Sequence, residues 1–197
     1  MLEQENAFWH TGVSFVAGVD EVGRGALAGP VVAAAVILPR DMLIRGLKDS
    51  KRLSPAERDR LYTVISSAAI SMGVGQSSPE LIDEVNIRQA NLLAMRQAVD
   101  NLEQSPEHLL IDGVDTIDWD GPQTTIVSGD AKSLSIAAAS VIAKVTRDRI
   151  MVAYDQTYPA YGFTRHKGYG TAEHMGAIHQ HGLSPIHRKS FQIKSSK

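Results

Sequence analysis

The sequence predicts an α/β fold in which a mixed central sheet is covered by helices. Short apolar runs of strand length alternate with helical patterns along the chain, and this alternation is typical of such folds. The longest apolar run, residues 30–38, has the length of a strand. The 197 residues suffice for one domain with a substantial core.

Five apolar runs mark the predicted strands, each bounded by glycine, proline or polar residues. The first two strands are joined by the glycine-rich turn of Gly23, Arg24 and Gly25. The predicted strands cover residues 14–19, 31–38, 70–76, 109–112 and 124–127.

Capping residues and apolar periodicity predict the helices. Ser54 and Glu57 form a capping box around Pro55, so an amphipathic helix is expected to begin there. The other predicted helices lie around residues 92–102, at 134–158 and at 171–182. The expected order is two strands, a helix, a strand, a helix, two strands, a long helix and a helical tail.

Composition excludes several classes of protein. The chain has no cysteine, which rules out disulfide frameworks, thiolate metal sites and cysteine nucleophiles and suits a reducing cytoplasm. Residues 1–19 lack the features of a signal peptide, and no apolar run approaches membrane-spanning length. We therefore expect a cytoplasmic protein without a membrane partner.

The charge is unevenly distributed. The net charge is −2, yet residues 156–197 carry six basic residues against one acidic residue, and five of the seven histidines. Such a basic end can hold phosphates, or it can be a solvated charged tail, and composition alone leaves both interpretations open.

Acidic residues end three of the predicted strands. Asp20 and Glu21 follow the first strand, Asp112 ends the fourth, and Asp130 follows the fifth. Each alone is explained as a turn residue, but together they indicate a site at one edge of the sheet. Clustered carboxylates repel one another unless divalent cations lie among them, and oxygen ligands without histidine or cysteine favour Mg²⁺ or Mn²⁺. Two such ions would support phosphoryl chemistry.

The first acidic pair poses a geometric problem. Neighbouring strand residues point to opposite faces, so Asp20 and Glu21 face one site only if the backbone bends there. Gly23, Arg24 and Gly25 are expected to supply that bend. The same tripeptide can present backbone amides and a phosphate-binding arginine to a ligand, although an ordinary turn explains it equally.

Two further places combine polar and aromatic groups. Tyr169 lies between glycines on a loop expected to be flexible, beside basic residues, where it can stack on a sugar or base or be a core residue. Ser140, Lys144 and Asp148 recur every fourth residue on one face of the long helix. Lys144 there can contact a phosphate or simply pair with Asp148.

These stretches, in this order, resemble the type 2 ribonucleases H, and bacterial ribonuclease HII in particular. The first block is highly specific, and the resemblance runs from residue 16 to residue 191. The matching stretches are AGVDEVGRG (17–25), AGPVV (28–32), KDSK (48–51), LS (53–54), ID (82–83), NI (86–87), LIDG (110–113), GD (129–130), AASVIAKVTRD (138–148), YGF (161–163) and HKGYGT (166–171).

The resemblance implies roles for the residues noted above. The family's four metal-binding acids fall on Asp20, Glu21, Asp112 and Asp130. The backbone of the loop at Gly23, Arg24 and Gly25 is expected to recognise a ribose 2′-hydroxyl, and Tyr169 to stack on the deoxyribose that follows a ribonucleotide. Phosphate contacts are assigned to Lys51, Ser140 and Lys144.

The implied fold is the ribonuclease H-like fold, with a catalytic core over residues 1–160 and a basic helical extension of the same domain over 161–197. The implied activity is hydrolysis of the RNA strand in RNA–DNA hybrids and cleavage 5′ of single ribonucleotides in duplex DNA. Two Mg²⁺ or Mn²⁺ ions would act, leaving 3′-hydroxyl and 5′-phosphate ends.

Other interpretations remain open. A related metal nuclease acting on DNA alone would need no hydroxyl-sensing loop, and a hybrid-binding protein would need no metal. Arg24 and the short segment before the first strand favour ribonuclease HII over the related HIII group. The tail from Ser190 shows no clear aromatic sliding-clamp motif, so clamp binding stays open, and a monomer is expected because no exposed apolar stripe is evident.

Overall fold

A computed structural model describes residues 1–40, 42–47 and 53–192. Its centre is a five-stranded sheet in the order β3-β2-β1-β4-β5. The strands are β1 (Val16–Val22), β2 (Val31–Ile37), β3 (Ser71–Ser77), β4 (His108–Asp112) and β5 (Gln123–Ile126). Strands β1, β2 and β3 pair antiparallel, whereas β4 pairs parallel to both β1 and β5. The predicted mixed sheet is therefore confirmed.

Six helices occur among the described residues. They are α1 (Glu3–Trp9), α2 (Pro55–Ala68), α3 (Pro79–Asp100), α4 (Leu134–Thr157), α5 (Phe163–His166) and α6 (Ala172–His181). The capping box of Ser54 and Glu57 begins α2, as predicted. Helices α1 and α5 were not predicted. Helix α3 begins well before the apolar pattern, at the Ser78 cap, and it is kinked at Asn86, where φ is 69°.

Helices cover both faces of the sheet. Ala17 and Val19 of β1 pack in a core with α3, whereas the buried face of α4 packs on the other side of the sheet. Gly18 allows α4 to approach closely, since a Cβ there would lie 2.1 Å from the carbonyl carbon of Ser135. The position of α4 relative to β1 is thus fixed at backbone contact distance, one turn before Ser140.

The C-terminal segment, residues 161–192, packs on the loop that joins β1 to β2. Ala28 and His187 form an antiparallel bridge. The Leu27 amide donates to the Gly168 carbonyl at 2.8 Å, and the Gly29 amide donates to the Ile186 carbonyl at 2.9 Å. Two separate parts of the C-terminal segment therefore hold this one loop.

The described part of the chain contains no helix that combines the length and apolarity needed to cross a bilayer. Lys51, together with the matching stretch 48–51, lies outside the described residues, as do residues 193–197.

Candidate active site

The candidate site lies where β1 and β4 part. Their ladder ends at the pair Val19 and Ile111, while β1 continues beside β2 as far as Val22. Asp20 and Glu21 therefore lie near the end of β1 but within it, and the strand end predicted at residue 19 was too early. The apolar run stops at residue 19, but pairing with the fully buried strand β2 extends the strand through both acids.

Asp20 and Glu21 point to opposite faces of the sheet. Asp20 lies on the α4 face, where the Ser140 hydroxyl donates a hydrogen bond to its carboxylate. Glu21 lines a cavity of about 140 Å³ on the α3 face, together with Asn91 and Asp112. The expected glycine bend is present, with a positive φ of 93° at Gly23, but it lies beyond both acids and does not turn them to one face.

Asp112 links the two faces. It is the last residue of β4, and its charge acts on both Asp20 and Glu21. The Gly129 amide donates to Asp112 Oδ1 at 2.6 Å. Asp130, the next residue, is buried in a short 3₁₀ turn. The structure thus brings Asp20, Glu21 and Asp112 together. Asp130 lies next to Gly129, whose amide is bonded to Asp112.

Burial and mutual repulsion make this site costly. Burial, followed by the charges of Glu21 and Asp112, raises the pKa of Asp20 well above its usual value. Burial also raises the pKa of Glu21, although Arg24 Nη1 lies 3.1 Å from Glu21 Oε1. The negative charge of the clustered carboxylates therefore exceeds the positive charge of Arg24 beside them.

The donor set suits a hard divalent cation, since every acid at the site offers only oxygen. As placed, however, no three acidic or histidine side chains among residues 1–40, 42–47 and 53–192 form a complete metal-binding group. A bound ion would have to draw these carboxylates together, relieving the repulsion that raises the pKa of Asp20.

The tip of the loop after β1 is exposed. Gly23 is buried, whereas Arg24 and Gly25 are exposed. A Cβ at Gly25 would meet no atom within 4 Å, so its surroundings are open. The Arg24 side chain is half exposed and spans from the loop to Glu21.

Arg188 holds this loop from below. Its guanidinium is fully buried and donates to the carbonyls of Gly29, Arg24 and Gly23 at 3.0, 2.9 and 2.7 Å. Burial, together with the charge of Arg147, lowers the pKa of Arg188 to about 9, so the group stays charged at neutral pH. The basic C-terminal end therefore does not place Arg188 at a phosphate, because this residue is only 1% exposed.

Arg147 of α4 holds the other end of the loop. Its buried guanidinium donates to the carbonyls of Pro30, Lys167 and Ala28 at 2.9, 2.9 and 3.0 Å. Sequence reasoning missed this role. Its spacing from Ser140 and Ala143, seven and four residues earlier, would have placed Arg147 on the buried side of the helix.

Tyr169 stands beside the loop on a well-fixed segment. Its amide donates to the His166 carbonyl at 2.9 Å, and its half-buried ring lies 5.4 Å from the Arg147 guanidinium carbon. The flexible loop expected from the flanking glycines is instead held by hydrogen bonds. Gly168 has a φ of 82°, and a Cβ there would lie 2.5 Å from the Ala28 carbonyl oxygen.

Ser140, Lys144 and Asp148 share one face of α4, as predicted. Lys144 Nζ lies 2.7 Å from Asp148 Oδ1, so the expected ion pair exists. The pair borders a groove of about 680 Å³, larger than the cavity beside the acids. The groove is lined by Arg58, Lys144, Arg149, Arg165, Lys167 and Tyr169 and by the two acids Asp59 and Asp148, among others, so basic residues outnumber acidic ones there.

Three comparisons with known proteins find ribonucleases similar to this chain. Residues 17–194 match the family model described as Ribonuclease HII. Ribonuclease HII of Bacillus cereus is 57% identical over 191 residues, which cover 97% of this chain and 74% of the relative.

Two archaeal structures are also similar. Ribonuclease H2 from Pyrococcus horikoshii has a TM-score of 0.77 and 28% identity, covering 90% of this chain and 94% of the other. Ribonuclease HII from Archaeoglobus fulgidus, in a complex with PCNA, has a TM-score of 0.77 and 25% identity, covering 93% of this chain and 98% of the other.

The raised pKa of Asp20 predicts that Asp20→Asn increases the melting temperature, measured in EDTA, by an amount that depends on pH. A carboxyl group with a raised folded-state pKa stabilises the fold while protonated, and this contribution is lost as the pH rises above about 3.8. Asp20→Asn should therefore raise the melting temperature at about pH 8, by roughly 2–4 °C per kcal/mol relieved. The gain should shrink towards acidic pH.

The exposed residue Asp118 provides the control, because Asp118→Asn should leave the melting temperature nearly unchanged at either pH. An unchanged or lower melting temperature for Asp20→Asn at alkaline pH would contradict the repulsion described here.

Removing the Arg188 guanidinium should destabilise the protein. Arg188→Met leaves the buried carbonyls of Gly23 and Gly29, and the partly buried carbonyl of Arg24, without this donor, and each buried loss costs about 1–3 kcal/mol. We expect urea denaturation to show a loss of at least about 2 kcal/mol, whereas Lys189→Gln at the exposed neighbour should stay within about 0.5 kcal/mol. Equal stability of the two variants would show that Arg188 does not hold the loop.

Proposed function

The chain belongs to the ribonuclease HII family of metal-dependent nucleases that act on the RNA of RNA–DNA hybrids, and we propose that it also cuts 5′ of single ribonucleotides in duplex DNA. Cleavage would leave a 3′-hydroxyl and a 5′-phosphate. The observation that carries this proposal is the position of the acids: mutually repelling carboxylates, of which Asp20 is buried, lie beside an exposed loop whose carbonyls are held by Arg188.

We infer that Asp20, Glu21, Asp112 and Asp130 hold two Mg²⁺ or Mn²⁺ ions. When bound, these ions lower the pKa of an attacking water and stabilise negative charge on the leaving oxygen. Ser140 orients Asp20 through its hydroxyl, and the Gly129 amide orients Asp112. Both bonds hold a carboxylate oxygen in a fixed direction before any cation arrives.

The loop at Gly23, Arg24 and Gly25 is proposed to test for the ribose 2′-hydroxyl. This hydroxyl is what distinguishes RNA from DNA at a given position. The two exposed residues, Arg24 and Gly25, offer main-chain groups to a ligand, while Arg188 fixes the carbonyls behind them. A loop held in this way can reject a deoxyribose, because the missing hydroxyl leaves its polar groups unpaired.

Tyr169 is proposed to stack on the deoxyribose that follows the ribonucleotide. The ring is half buried and lies 6.0 Å from Lys144 Nζ as well as near Arg147. An aromatic face beside cations suits a sugar flanked by phosphates.

The basic groove beside Tyr169 is proposed to carry the duplex backbone. Arg58 and Arg149 lie on its α2 and α4 sides, and Arg165 and Lys167 close it from the C-terminal segment. The phosphate contact proposed for Lys144 joins the groove to the acids, and Lys51 keeps the phosphate role implied by its motif. Ser140 is buried and donates its hydroxyl to Asp20, so we propose that it orients this carboxylate instead of contacting a phosphate. Binding through such contacts weakens steeply as salt rises.

The metal site predicts a specific pattern of nicking. A labelled duplex with one ribonucleotide should be cut on its 5′ side with Mg²⁺ or Mn²⁺ but not with EDTA, and an all-DNA duplex should stay intact. Asp112→Asn should slow cleavage about 10³-fold or more, because loss of a metal ligand removes several kcal/mol of transition-state stabilisation. The exposed-site variant Asp118→Asn should cleave normally.

The outcomes separate the competing functions. Cleavage of the all-DNA duplex would identify a DNA nuclease instead. Tight binding of the hybrid without EDTA-sensitive cleavage would identify a binding protein.

The stacking role of Tyr169 predicts that its removal slows cleavage at a single ribonucleotide more than cleavage within a continuous hybrid. Tyr169→Ala should slow cleavage at a single ribonucleotide about 10- to 100-fold, the range expected for one stacking contact, and slow cleavage within a continuous hybrid less. Tyr169→Phe keeps the ring and should retain most of the preference. Equal losses on both substrates for Tyr169→Ala would contradict the stacking role, as the ratio of the two rates measures it directly.

A further inference from the structure

Three buried histidines lie beneath Tyr169 in the C-terminal segment. His166, His174 and His187 are 7%, 0% and 1% exposed and pack against the ring of Phe163. The rings of His166 and His174 stack at 4.4 Å. Nothing in the proposed reaction uses these side chains, yet their hydrogen bonds lead to the backbone of Tyr169.

The hydrogen bonds of His187 and His174 define one tautomer for each ring. The Ser184 amide donates to His187 Nδ1 at 2.9 Å, so that nitrogen carries no proton and the neutral ring is protonated at Nε2. His187 Nε2 lies 3.0 Å from His174 Nε2, which must then accept. His174 therefore carries its proton on Nδ1, 3.0 Å from the Tyr169 carbonyl oxygen.

His166 holds the other side of the same residue. The Gly168 amide donates to His166 Nδ1 at 3.2 Å, and the Tyr169 amide donates to the His166 carbonyl at 2.9 Å. His166 Nε2 then donates to the Tyr161 carbonyl at 2.8 Å. The Tyr169 amide is thus bonded to the His166 main chain, and the Tyr169 carbonyl accepts from the His174 ring and also from the Thr171 amide at 2.8 Å.

The direction of the Tyr169 ring depends on this backbone. Lys167 and Gly168, just before it, both have positive φ angles, of 52° and 82°, so the chain reverses sharply there. The cations of Arg147 and Lys144 lie more than 5 Å from the ring centroid, and such contacts tolerate many ring orientations.

We propose that His174, held in its Nδ1-protonated form by His187, is a positioning residue that fixes Tyr169 for recognition of the sugar after a ribonucleotide. This proposal rests on the stacking role of Tyr169 given above. Burial supports it, because the pKa of His174 falls to about 4 and the pKa of His187 is also lowered. Both rings therefore remain neutral at physiological pH, as the hydrogen bonds from His187 to His174 and from His174 to Tyr169 require.

Two substitutions of His174 separate this role from simple packing. An asparagine side-chain nitrogen occupies the place of the histidine Nδ1 and can still donate to Tyr169, whereas a glutamine amide reaches the place of Nε2 and cannot. The readout is the rate at a single ribonucleotide divided by the rate within a continuous hybrid. We expect His174→Gln to lower this ratio about tenfold, and His174→Asn to stay within about threefold of the parent.

The exposed His179 on the same helix provides the matched control, because His179→Gln should leave both rates unchanged. All variants are compared below their melting temperatures. A parental ratio for His174→Gln, or an equal loss for His174→Asn and His174→Gln, would overturn the positioning role. If Tyr169→Ala also left the ratio unchanged, the stacking role would fail first and the positioning role with it.

A second measurement needs no variant. Ring ¹⁵N spectra of the intact protein at neutral pH should show His174 protonated at Nδ1, and His166 and His187 at Nε2. A charged His174, or one protonated at Nε2, would overturn the proposal whatever the kinetic results.

Discussion

The fold has to hold three carboxylates close together, although they repel one another, at the point where the pairing of β1 with β4 ends. Burial raises the pKa of Asp20, and the charges of Glu21, on the opposite face, and of Asp112 raise it further. Such a site persists only because its surroundings hold it, since burying like charges is unfavourable. The close packing of Gly18 against α4 and the full burial of β2 supply that rigidity.

Two buried positive charges lie on the other side of the β1–β2 loop. Arg147 and Arg188 are buried beside each other, and each lowers its energy by donating three hydrogen bonds to main-chain carbonyls. Neither forms an ion pair within the part of the chain that the structure describes. The carbonyls of the loop are thus drawn inward at both of its ends. A preorganised loop between acids and an aromatic ring can read a sugar without rearranging first.

Local patterns in the sequence were sufficient for the five strands, their order along the chain and most helices. The capping box before α2 and the apolar periodicity of α4 are local features, and the acids were found because each follows an apolar run. Helix α1 escaped prediction because its support is remote: Glu5 accepts hydrogen bonds from Ser133 and Ser135, about 130 positions along the chain.

The groups that hold the site are of the same remote kind. Arg188 bonds to Gly23 across 165 positions, and no periodicity within its own segment indicates that partner. The His187–His174 pair is closer in sequence, but its tautomers follow from the three-dimensional contacts of Ser184 and Tyr169. The placement of Asp20 and Glu21 within β1 similarly required knowledge of the pairing with β2.

The most direct test of the central claim is the location of bound manganese. Crystals of the full chain with a ribonucleotide-containing duplex, soaked in Mn²⁺, would locate the ions by anomalous diffraction. The account predicts ions bonded to carboxylate oxygens of Asp20 and Asp112, with Glu21 and Asp130 completing the site. Manganese bound elsewhere, with these four carboxylates uninvolved, would contradict it.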